Sequence, residues 1–146
     1  MRRSILFLLS IPLFVFSQHN SSSVQSINID HSHHIMIIDA DRKIKDNMSF
    51  KYYFDRAWIA IDNYGEASYE AIAYFYRSIE IAPKHLIGGV YNDLANCFRG
   101  GLKSYIIANF YYSKAIENRF RAGFVYYNRS ICRYMSFINA NSNEII

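Results

Sequence analysis

Apolar and polar positions along the chain fall into two regimes. From Lys51 to about Asn139, large apolar residues recur three and four positions apart, a spacing that predicts amphipathic helices. Before that, QHNSSSVQSINID (18–30) is polar and Ser/Asn-rich and reads as a flexible leader. Within HSHHIMIIDADRKIKDNMSF (31–50), the run Ile35 to Ile38 is too short for periodicity to separate a strand from a segment packed on the following helices.

The helical region repeats itself. AIAYFYRSIEI (71–81) and ANFYYSKAIEN (108–118) align at an offset of 37, pairing Ala71 with Ala108, Phe75 with Tyr112 and Ser78 with Ala115. A second set of positions, Ala57, Ala95 and Ser130, falls in register at 38 and then 35 residues. The two sets alternate, so the repeating unit is a pair of helices. Its second helix carries small residues at i and i+7, which share a face and let a neighbouring helix approach closely. The aromatic between them fills the adjoining space. The linkers NYGEAS (63–68) and RGGLKS (99–104) each contain Gly and end in Ser, a good N-cap for the helix that follows. Pro83 ends the first of the second helices.

Composition sharpens this picture. Hydrophobic residues make up 51% of the 146, with 13 Tyr and 11 Phe, which excludes a disordered chain. A phenol buries apolar area while its hydroxyl needs water or a partner, so a Tyr-rich chain suits thin layers with much surface. Residues 1–17 stand apart: Arg2 and Arg3 precede an apolar run to Phe16 and then Ser17, the three-part pattern of a secretory signal peptide. That run is shorter than the roughly 20 residues a spanning helix needs, and an uncleaved anchor is the alternative reading. Its removal takes two arginines and lowers the formal net charge from +4 to +2, too small an excess to point to nucleic acid. The expected product is periplasmic or extracellular, with no membrane span after cleavage.

These residues resemble the tetratricopeptide repeat (TPR). AIAYFYRSIEIAP (71–83) follows that family's second-helix pattern with Ser78 in place of the second Ala, and ANFYYSKA (108–115) matches it more closely, although Phe120 stands where the proline would be. VYYNRS (125–130) resembles the start of a third unit. The likeness covers about residues 52 to 138. It implies an all-α fold of tandem antiparallel helix hairpins stacked as a short right-handed α-solenoid, about two and a half repeats long. The expected organisation is a signal peptide (1–17), a leader with a short packed segment (18–50), TPR-like repeats (51–139) and a tail (140–146). The packing positions would be Ala57, Ala71, Phe75, Ser78, Ala95, Ala108, Tyr112, Ala115 and Ser130. With so few units, residues 31–50 are expected to pack on the open end of the stack; self-association is the alternative.

The resemblance also implies a function: first helices lining a groove that holds a peptide or partner protein. In one branch of the family two Asn and a Lys clamp a terminal carboxylate. Asn96 and Asn128 match the two Asn positions, Asn92 stands at the lysine's place, and Arg99 and Tyr127 sit near the same wall. Amides suit an extended backbone because each offers donors and an acceptor. The competing reading of these residues is solvent-facing Asn on a groove wall. Two readings of the whole chain compete with groove binding: a structural or assembly subunit, and a carrier for a small apolar ligand.

Cys97 and Cys132 lie two residues after Ala95 and Ser130, on equivalent spots of successive first helices. Packed helices are about 8–10 Å apart, whereas a disulfide needs Cα atoms within about 7 Å. Two buried free thiols are expected. His31, His33 and His34 have no matching ligand set downstream and read as polar chain, not a metal site. Trp58 reads as a core anchor. No nucleophile–base pair, phosphate-cradling glycine loop or paired acids appear, so no enzyme activity or cofactor is expected.

Overall fold

A computed structural model describes residues 31–142, and these are all-α, with no strand among the described residues. The signal-peptide reading and most of the leader, residues 1–30, lie outside them. Six helices follow in order: α1 (His31–Asp41), α2 (Phe50–Tyr64), α3 (Tyr69–Ile81), α4 (Ile87–Asn96), α5 (Tyr105–Glu117) and α6 (Gly123–Ser142). α4 runs on into one π-helical turn, Cys97–Gly101. Short connections pair α2 with α3 and α4 with α5, and α6 packs against α5.

The helix ends follow local chemistry. Ser49 and Ser68 cap α2 and α3, each hydroxyl accepting the N–H three residues on. Ser104 makes no such bond: at φ −85° and ψ 74° it lies off the extended backbone a cap uses, so its hydroxyl leaves α5 uncapped. Ala82, extended before Pro83, ends α3. α5 stops without a proline. Arg119 turns left-handed at φ 68°, and the N–H groups of Arg119 and Phe120 bond the carbonyls of Ile116 and Ala115, a Schellman closure with an apolar residue after it.

The small-and-aromatic register forms the core. Ala57, Ala71, Phe75, Ser78, Ala95, Ala108, Tyr112 and Ala115 are all fully buried. Ser78 keeps its hydroxyl satisfied by donating to the Tyr74 carbonyl at 2.9 Å. Between the hairpins, Tyr76, Tyr91, Phe98 and Phe110 surround Tyr111. The Tyr76 and Tyr111 hydroxyls share a 2.8 Å hydrogen bond, and burial pushes both phenols up. The two linkers touch as well. A β-carbon at Gly101 would run into the backbone of Glu66 and Ala67, and one at Gly100 into the Glu66 carboxylate. Equivalent points of the two hairpins therefore lie side by side at one end of the molecule.

Residues 31–50 contain a helix that covers the first hairpin. α1 packs on α3 with Ile37 buried, and Ile44 beyond it is buried too. Arg77 of α3 grips the buried Asp41 through two hydrogen bonds, at 2.6 and 3.0 Å, and reaches Asp46 at 3.0 Å. His33 bonds the Tyr69 hydroxyl at 2.7 Å.

Two expectations need correction. Ser130 is exposed, its hydroxyl turned back to the Tyr127 carbonyl. The small residue of α2 and of α4 is covered by the second helix of its own hairpin, and among the described residues α6 has no such mate. Trp58 is 41% exposed; its ring meets Phe75 edge-on and remains at the surface.

Candidate protein-binding surface

The residues expected to bind a partner lie on α4, on the π-helical turn that continues it, and on α6. On α4, Asn92 is buried and its amide donates to the Asp93 carboxylate at 3.1 Å, while its own Oδ1 has no hydrogen-bond partner among the described residues. Burial raises the Asp93 carboxyl to about 6, against the lowering effect of the Asn92 bond. One turn on, Asn96 Oδ1 accepts the Tyr112 hydroxyl at 2.6 Å, and that hydroxyl accepts Arg99 Nε at 3.0 Å. Burial raises the Tyr112 phenol although Arg99 lowers it, so the hydroxyl keeps the proton it donates to Asn96. Asn92, Asn96 and Arg99 are thus engaged inside the second hairpin instead of lying open on a wall.

Tyr127 and Asn128 lie on α6, and no hydrogen bond joins them to the α4 set. An offset of 35 superimposes the buried Val90 and Cys97 on the buried Val125 and Cys132. In that register Asp93, not Asn96, corresponds to Asn128, so the two amides do not occupy equivalent places. A two-Asn clamp is not assembled from this pair. The same register sets Tyr127 at the place of Asn92, Ser130 at Ala95, Ile131 at Asn96 and Tyr134 at Arg99. Those α4 residues form the face turned towards α5, where Gly88 also lies close to the Ala115 and Asn118 carbonyls. On α6 this face is open: Phe124, Tyr127 and Tyr134 are 52, 66 and 64% exposed, and Ile131 is half-buried.

That stripe is the surface the sequence reading missed, apart from Tyr127. Phe124, Tyr127, Ile131 and Tyr134 follow a 3-4-3 spacing, the seam pattern of paired helices, and the spacing alone was signal enough to find it. Both cysteines are buried and free, and burial raises their thiols, Cys97 to about 12 and Cys132 to about 11. No cluster of three or more His, Cys, Asp or Glu among the described residues is placed to hold a metal ion. No helix among them is long and apolar enough to cross a membrane. Comparison of the chain with protein-family models, with curated proteins and with solved structures finds no match.

Proposed function

We propose that this chain is an exported TPR-like module that binds a protein or peptide partner along its first helices. The distribution of exposed apolar side chains carries the reading. Of the first helices, α2 exposes Trp58, Ile59 and Tyr64 and α6 exposes Phe124, Tyr126, Tyr127, Tyr134 and Phe137, while α4 exposes no large apolar side chain. The second helices expose only Ile81 and Ile106. Exposed rings near polar groups such as Asn128 are typical anchors for a partner chain. The solenoid arrangement and its groove rest on the repeat register, and export rests on the basic and apolar pattern of residues 1–17. The interior rings pack on one another, which favours recognition at the surface over carriage of an apolar ligand inside.

An array of extended peptides, followed by fluorescence anisotropy on the best binder, tests this. Trp58→Ala combined with Asn128→Ala is expected to weaken binding at least about tenfold, or roughly 1.4 kcal/mol. Equal affinity in the double variant, or no peptide bound by either chain, would remove the groove reading.

A further inference from the structure

We infer that the open face of α6 pairs with the same face of a second copy of this chain, in an antiparallel two-helix seam. The inference rests on the repeat register; it assigns Phe124, Tyr127 and Tyr134 to this seam and leaves Trp58, Ile59 and Tyr64 of α2 and Tyr126 of α6 to the proposed groove. In α4 the corresponding face is closed by α5, the antiparallel second helix of its hairpin. In α6 those places hold Tyr127, Ser130, Ile131 and Tyr134, apolar except for Ser130 and exposed except for the half-buried Ile131, so an antiparallel helix of similar length fits there. A second α6 supplies it.

The stripe is self-complementary. In an antiparallel seam, positions Phe124 and Ile131 of one copy face Tyr134 and Tyr127 of the other, and a two-fold axis generates both contacts twice. Charge does not oppose the pairing. The arginines of α6 lie off the seam: Arg129 sits 5.6 Å above the Tyr126 ring, and Arg133 bonds Asn109 Oδ1 at 3.2 Å. No charged side chain stands among Phe124, Tyr127, Ile131 and Tyr134, so a copy meets apolar surface with no buried charge to compensate.

The area is sufficient. Phe124, Tyr127 and Tyr134 on the seam and Phe137 at its flank are 52, 66, 64 and 66% exposed. At roughly 200 Å² per ring side chain they offer about 500 Å² per copy, or about 1,000 Å² for the pair. That reaches the size at which a specific interface becomes stable, at its weak end.

Sedimentation equilibrium of the chain lacking residues 1–17, from about 1 μM to about 500 μM, tests the inference over the range of a weak interface. The expected result is a monomer–dimer equilibrium. Tyr134→Lys, at an exposed position, is expected to remain monomeric with unchanged helical circular dichroism, while Ile106→Lys on α5 dimerises like the parent. A mixture of Tyr127→Cys and Ile131→Cys chains should form a mixed disulfide under mild oxidation, and a mixture of Tyr126→Cys and Ile131→Cys chains should not. A parent chain that stays monomeric throughout, open-ended growth beyond a dimer, or a dimer indifferent to Tyr134→Lys would overturn the proposal. So would a monomer that binds phosphatidylcholine vesicles through this face, which would assign the stripe to lipid.

Discussion

In the α2–α3 hairpin, the residue after the buried Ala57 is Trp58, whose ring meets Phe75 edge-on at 6.2 Å. In the α4–α5 hairpin, the residue after the buried Ala95 is Asn96, which accepts the hydroxyl of Tyr112, the counterpart of Phe75. The two crossings occupy one repeat position with opposite chemistry. The first is a dry ring contact, extended by Phe54 against the same Phe75. The second is a hydrogen-bonded chain completed by Arg99. The backbone register demands that the space beside the small residues be filled, and it does not dictate with what. A polar filling carries a condition that an apolar one does not: each buried donor and acceptor must find its partner.

The comparison breaks most visibly at Phe75. Phe75→Ala removes a fully buried ring shared by Phe54 and Trp58 and is expected to cost about 3–5 kcal/mol in chemical denaturation. A loss below about 1 kcal/mol would mean that the first crossing is not closely packed.

A second difference is pH. The second hairpin places a raised carboxyl beside its crossing, Asp93 at about 6 against an ordinary value of 3.8. A raised folded value means that the folded chain holds a proton which the unfolded chain has already released. Between about pH 4 and pH 6, stability is therefore expected to fall as pH rises, and the penalty is complete above that window. Asp93→Asn should remove the slope and stabilise the protein at pH 7 by an amount on the order of 2–3 kcal/mol. Urea titrations at pH 4 and pH 7 on both chains measure it; parallel pH profiles would assign the slope elsewhere.

The smallest expected effect is at Tyr112. Tyr112→Phe leaves Asn96 Oδ1 and Arg99 Nε without their shared partner and is expected to cost about 1–3 kcal/mol. Adding Asn96→Leu removes one stranded acceptor and should recover part of that loss. A double variant less stable than the single one would show that Asn96 contributes beyond this hydrogen bond.

Much of the fold was legible because small residues seven apart and their intervening aromatics report a helix contact directly, as at Ala71, Phe75 and Ser78. The Ser68 cap and the stop before Pro83 were legible for similarly local reasons. α1 was not, because the apolar run Ile35 to Ile38 is short and its docking depends on a side-chain grip between Asp41 and Arg77, 36 residues apart. The left-handed exit at Arg119 was hidden, since arginine is not a residue that announces such a turn. The site was legible only in part. Asn92, Asn96 and Arg99 read as groove residues through the resemblance to the family's clamp positions, and such a match cannot say whether an amide faces solvent or a neighbouring tyrosine. Ser130 misled for the opposite reason: its place in the register is correct, but a position faces inward only if something lies opposite.

One register shared by α4, with its π-helical turn, and α6 is the central claim, and the cysteines test it most directly. Cys97 and Cys132 are placed at equivalent inward positions of α4 and α6, buried, unbridged and protonated at neutral pH. Iodoacetamide labelling of the folded chain without reductant, read by intact mass, should add no label at pH 7.5, and the same chain in guanidinium should take up two. No uptake in guanidinium would reveal a disulfide, and rapid labelling of the folded chain would place a thiol at the surface; either result contradicts the shared register.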